Sequence, residues 1–161
     1  MVWKQERRVD RMKRISMVTV IFILIAIPAI AQMPADILAQ IKAKAAQDFP
    51  DDYSTQKYVI NTQKQAYDQV QNYRDTRIPQ TILAKLKQKA ATDFPLDFST
   101  QKYVLDTQVA AYVAIQTYSA EGIPVDVLKR IKQKAAQDFP NDYSTQKYVI
   151  DTQVSAYKSI Q

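Results

Sequence analysis

The sequence predicts an all-α protein: three tandem helical hairpins, six helices in total, forming a short α-solenoid or compact helical array after a cleaved signal peptide. Three observations predict it. Phe49-Pro50 returns as Phe94-Pro95 and Phe139-Pro140, a constant period of 45 residues, and self-similarity at such a period marks repeat architectures. Apolar residues between these landmarks fall at helical rather than alternating spacing. The chain of 161 residues holds one glycine, too few for β-hairpins, whose tight turns draw on residues that accept positive φ.

Taken in order, the chain opens on a leader, residues 1–31. Ile15–Ile27 is an almost unbroken apolar run, preceded by Lys13 and Arg14 and followed by Pro28-Ala29-Ile30-Ala31. Basic, apolar and small-residue segments in that order make a secretory signal, with cleavage expected after Ala31 to leave Gln32 first. The run is shorter than the roughly 20 apolar residues of a membrane span, so an uncleaved anchor is the lesser alternative. No cysteine follows the cleavage site, which excludes a bacterial lipoprotein. Met1–Arg11 is charged and polar and fits poorly in a signal, whereas Met12-Lys13-Arg14-Ile15 starts a well-formed one. Met12 is therefore the expected initiator.

The body divides into residues 32–77, 78–122 and 123–161, one hairpin each. Met33-Pro34, Ile78-Pro79 and Ile123-Pro124 open them, and Ser-Thr-Gln-Lys-Tyr-Val is identical at 54–59, 99–104 and 144–149. Between residues 41–63 and 131–153, twenty of twenty-three positions match, which makes the repeat signal strong. Pro34 suits the first turn of a helix, where its missing N–H has no partner to lose. Ile37, Leu38, Ile41, Ala45 and Phe49 then make one apolar face. The helix should stop near Phe49, because Pro50 disfavours helix at the residue before it.

Asp52, Asp97 and Asp142 are invariant, while the preceding position is Asp51, Leu96 or Asn141. The invariant aspartate is thus the expected N-cap of the second helix, which should run to Gln71–Tyr73. Residues 72–78 and 117–123 are the linkers, with Gly122 as an expected helix stop. A unit this small without disulfide or metal is marginal alone, so the hairpins should pack on one another. Separate beads are disfavoured, because the linkers are short and not Gly/Ser-rich.

Composition removes whole classes of chemistry. Histidine and cysteine are absent, which excludes disulfides, thiol nucleophiles, Cys or His metal sites and His-based triads. The formal net charge of +6 divides unevenly: residues 1–31 hold six Lys/Arg and two Asp/Glu, and the remainder sixteen and fourteen. A body with a balance of only +2 lacks the concentrated basic face that nucleic-acid binding needs. No catalytic residue, cofactor or metal is expected.

On a helical wheel the second helix carries two stripes. Tyr53, Gln56, Val59, Ile60, Gln63, Ala66, Tyr67 and Val70 form the face expected to meet the first helix. Gln56 and Gln63 lie within it, and buried amides need partners, so they should bond across the hairpin or to a neighbouring repeat and fix its register. The other stripe is Thr55, Tyr58 and Thr62, repeated at Thr100, Tyr103, Thr107 and at Thr145, Tyr148, Thr152. It either packs against the next repeat, as stacked units demand, or forms a partner-binding surface, for which tyrosine is suited. Packing is the first expectation. Lys42 and Lys44, with their counterparts 87/89 and 132/134, should lay their stems over a solvated rim. Asp48, Asp93 and Asp138 sit unfavourably at a helix C-terminus and should be offset by the lysine one turn back or by N–H groups opening the second helix. Paired with Asp52, Asp48 also offers a weaker acid/base or calcium alternative.

The segment Asp48-Phe49-Pro50-Asp51-Asp52-Tyr53-Ser54-Thr55-Gln56-Lys57-Tyr58 resembles short helical repeats of uncharacterised exported bacterial proteins. The resemblance implies a bacterial, exported setting, periplasmic or extracellular, and carries no activity. The function expected is a non-enzymatic binding module for a protein or cell-envelope partner, touching membrane only through the signal peptide. The rivals are a hydrolase or hydrolase inhibitor using the Asp pairs, and a self-associating structural component of the envelope.

Overall fold

A computed structural model describes residues 32–161. The leader assigned to residues 1–31, with its start at Met12 and cleavage after Ala31, lies outside the described residues. Within them the protein is all-helical, with no strand: α1 Ala35–Asp48, α2 Tyr53–Gln71, α3 Gln80–Asp93, α4 Phe98–Gln116, α5 Val125–Asp138 and α6 Tyr143–Ser159. None of these helices is long and apolar enough to cross a membrane.

The same local chemistry lays down each hairpin. Pro34, Pro79 and Pro124 stand at the N-cap, one position earlier than the first-turn placement expected. Their carbonyls accept the first helical hydrogen bonds, from the N–H groups of Leu38, Leu83 and Leu128 at 3.0 Å. The Phe-Pro pair then ends α1, α3 and α5 at Asp48, Asp93 and Asp138. The chain reverses through a left-handed residue, Asp51 (φ 61°), Leu96 (φ 65°) or Asn141 (φ 61°). Asp and Asn tolerate that region, whereas leucine adopts it at a cost. Leu96 recovers packing in return, since its side chain lies against the core of the first hairpin. Gly122 does not stop a helix. α4 ends at Gln116, and Gly122 (φ 77°) shapes the turn before α5, where the Ile123 N–H donates to the Ala120 carbonyl at 3.2 Å.

Within hairpins α1 packs on α2, α3 on α4 and α5 on α6; between hairpins α2 packs on α4 and α4 on α6. The second helices therefore form one continuous row, with the first helices laid against their own partners. Each hairpin has its own apolar cluster. Ile41, Ala66 and Tyr67 centre the first, Leu83, Leu86, Leu105 and Val109 the second, and Ala135, Ile150 and Val154 the third. Neighbours close these clusters with aromatic rings. Phe98 meets Tyr67 edge-on at 5.0 Å between centroids, and Tyr143 meets Tyr112 in the same way at 5.1 Å.

The stripe expected to face the first helix thus serves two partners. Tyr53 belongs to it in sequence yet is 73% exposed, while its counterpart Phe98 is 7% exposed. Position 53 points toward the preceding repeat, and among the described residues the first hairpin has none. Phe49, placed on the apolar face of α1, is likewise exposed. Its carbonyl is occupied instead, accepting from Gln56 Nε2 at 2.8 Å.

Candidate functional site

Most of the repeated polar residues hold the hairpins together. Asp52 caps α2, its Oδ1 accepting the Thr55 N–H at 3.0 Å and its Oδ2 the Thr55 hydroxyl at 2.6 Å. Asp97 and Asp142 cap α4 and α6 with the same bonds. Gln56, Gln101 and Gln146 each donate Nε2 to the carbonyl of Phe49, Phe94 or Phe139, tying the end of one helix to the start of the next. The second glutamine reaches further. Gln63 Nε2 donates to Asp97 Oδ1 at 3.2 Å and to Ser99 Oγ at 3.1 Å, while its Oε1 accepts the Phe98 N–H at 2.7 Å. Gln108 makes the equivalent bonds to Asp142, Ser144 and the Tyr143 N–H. One amide thus satisfies a helix N-terminus of the following repeat, and fixes register between hairpins.

Lysines add a second link that sequence reasoning placed only on a solvated rim. Lys132 Nζ donates to the carbonyls of Ile115 and Tyr118, both at 2.9 Å, and Lys87 Nζ to that of Gln71 at 3.3 Å. These cations meet the C-terminal ends of the preceding second helices, where the helix dipole favours positive charge. Lys44, Lys89 and Lys134 instead pair with Asp48, Asp93 and Asp138 one turn on, at 2.9, 2.7 and 2.9 Å. Tyr73 and Tyr118, 45 residues apart in the linkers, take part in further contacts that the sequence reading does not single out. The Lys102 ammonium lies 5.3 Å from the Tyr73 ring centroid, and Lys147 lies 5.2 Å from that of Tyr118. Burial, reinforced by the neighbouring Asp106 carboxylate, pushes the Tyr73 phenol up to about 12.

What these links leave over is the tyrosine of the Thr-Tyr-Thr stripe. Tyr58, Tyr103 and Tyr148 are 71%, 70% and 69% exposed, which overturns the expectation that they pack between repeats. The rings Tyr67–Phe98 and Tyr112–Tyr143 fill that role from elsewhere on the helix. Five of the six flanking threonines, all but Thr62, are occupied. Thr55, Thr100 and Thr145 donate to the cap aspartates, and the hydroxyls of Thr107 and Thr152 donate back to the carbonyls of Tyr103 and Tyr148 at 2.9 Å. Since the α2–α4 and α4–α6 junctions use the same bonds, the three rings stand at equivalent places on successive helices. The axes of packed helices lie roughly 8–10 Å apart.

No family model, curated protein or solved structure matches this chain.

Asp52, Asp97 and Asp142 serve as caps, and Asp48, Asp93 and Asp138 pair with lysines. Among the described residues no three Asp or Glu side chains converge in a group that could hold a metal ion. Hydrogen bonds from the Thr55 hydroxyl and N–H and from Ser54 hold the Asp52 carboxyl at about 2, against an ordinary 3.8. For Asp97 and Asp142 burial pushes upward, but bonds from Thr100, Ser99 and Gln63, and from Gln108, Thr145 and Ser144, outweigh it and hold both at about 2. The folded state thus binds fewer protons than the unfolded chain between these values. The caps' contribution to stability is complete above the ordinary value and is lost as pH falls from 3.8 to about 2. Urea midpoints measured across that window should fall as pH falls, and Asp97→Asn should flatten the slope.

Proposed function

We propose that the protein is an exported, non-enzymatic helical-repeat module that binds a protein or cell-envelope partner through the row Tyr58, Tyr103 and Tyr148. In this reading residues 1–31 are a signal peptide removed after Ala31, and the three hairpins stack as a short α-solenoid. One observation carries the binding assignment: a large aromatic side chain recurs at each equivalent position and stays more than two-thirds exposed in all three copies, with no packing or capping role. Tyrosine presents wide amphipathic area at little conformational cost, which is why interfaces favour it. Three rings at a regular spacing suit a partner that is extended or itself repetitive, gaining affinity from several weak contacts acting together.

The test is capture from envelope extract of the producing cell, quantified by mass spectrometry. Wild-type protein should enrich a partner that the Tyr58/Tyr103/Tyr148→Ala triple variant fails to retain. Each ring is exposed, so the variant should keep the wild-type circular dichroism spectrum and urea midpoint. Equal capture by the two proteins would remove the tyrosine row from the function.

A further inference from the structure

The junction between hairpins has two halves, and the described structure leaves one of each unmatched. The receiving half is a groove on one hairpin with its second glutamine in the lining, while its later tyrosine meets the incoming ring. In the first hairpin this groove is lined by Ile41, Ala45, Val59 and Gln63, and the segment Pro95-Leu96-Asp97 of the next hairpin enters it, leaving about 170 Å³. The equivalent groove on the third hairpin is lined by Ile131, Lys134, Ala135, Val149 and Gln153 and opens to about 300 Å³. Gln153, counterpart of Gln63 and Gln108, has no hydrogen-bond partner among the described residues and is exposed.

The inserting half is equally free at the other end of the row. In the first hairpin the segment Pro50–Ser54 is exposed throughout, with Tyr53 turned to solvent. The counterparts Phe98 and Tyr143 are drawn in against Tyr67 and Tyr112. Asp52 carries the cap geometry that Gln63 and Gln108 recognise in Asp97 and Asp142. Asp51 stands where the internal junctions have Leu96 and Asn141. The open groove's Arg130 and Lys134 are paired with Asp126 and Asp138, as Lys44 is with Asp48 in the filled one, so the fit rests on the repeated hydrogen bonds and rings and not on charge.

We propose that the groove on the third hairpin receives the first hairpin of a second copy, so that chains join head to tail. Gln153 bonds Asp52, Ser54 and the Tyr53 N–H of the incoming copy, and the Tyr53 ring meets Tyr157 as Phe98 meets Tyr67. The contact is heterologous: the two surfaces differ, so each copy keeps one of each free and the chain of copies can grow. The row of exposed tyrosines continues from copy to copy, although the association does not depend on it.

Sedimentation of protein expressed from the whole chain tests the proposal over a wide concentration range. Wild type should give mass rising with concentration through dimer to larger species. Gln153→Arg and Tyr53→Arg alter exposed side chains and should each remain monomeric with unchanged circular dichroism, association weakening by at least about tenfold for each. An equimolar mixture of the two should form dimers and nothing larger, because one variant keeps an intact first hairpin and the other an intact groove. The Tyr58/Tyr103/Tyr148→Ala variant should associate like wild type, which separates this inference from the binding assignment. A wild type monomeric at every concentration would overturn the proposal, whatever segment covers the two ends. So would association untouched by both substitutions, or a mixture that fails to dimerise.

Discussion

Gln108→Ala should lower stability by about 2–4 kcal/mol in urea unfolding, because it removes bonds to a charged cap and to first-turn N–H groups that water reaches poorly. The wild-type amide donates to Asp142 at 2.9 Å and to Ser144 at 3.0 Å, and accepts from the Tyr143 N–H at 2.6 Å. Gln153→Ala is the internal control. It alters the same residue type at the same helical position, 45 residues on, but removes no bond within one copy. At concentrations too low for self-association its effect should stay within about 0.5 kcal/mol, as for surface substitutions generally. Equal losses for the two variants would mean that the glutamines act within their own hairpins and not across the junction. Hydrogen exchange should locate the Gln108→Ala effect in α6, with faster exchange at Tyr143 and Ser144.

Leu105→Ala should cost about 3–5 kcal/mol, at the upper end for a buried leucine, because the cavity it leaves is enclosed on all sides. Leu105 is 0% exposed and sits in the central cluster with Leu83, Leu86 and Val109. Its counterpart in the first hairpin is Ile60, which is only partly buried. Ile60→Ala should therefore cost distinctly less, although its sequence neighbourhood is nearly identical. Calorimetry on the two variants would check both figures. A similar loss at both positions would show that the hairpins are stabilised individually and not by their place in the row.

The positions at which sequence reasoning succeeded are those governed by local geometry. Phe-Pro ends a helix wherever it stands, since the constraint acts on the residue directly before the proline. Asp52 was readable as a cap because an N-cap bonds to N–H groups only two or three residues ahead. The pairing of Asp48 with Lys44 followed from one helical turn. Gly122 was misplaced for a related reason: a lone glycine signals positive φ without saying whether the turn ends one element or begins another. The left-handed residue after Phe-Pro is not legible in the sequence, because three different side chains occupy it and only two of them tolerate that conformation readily.

By itself the sequence determined helical hairpins of common design, the Phe-Pro stops of α1, α3 and α5, the aspartate caps of α2, α4 and α6, and which residues share a face. The tertiary structure decided which face meets which neighbour. A period of 3.6 residues places side chains by angle around their own axis, but contains nothing about the direction in which the next hairpin lies. That direction is set by packing between α2, α4 and α6. It drew Phe98 and Gln63 into a junction, and it left Tyr58, Tyr103 and Tyr148 facing solvent. It also made the three near-identical copies unequal, because the middle hairpin has a neighbour on both sides and each outer one, among the described residues, on one.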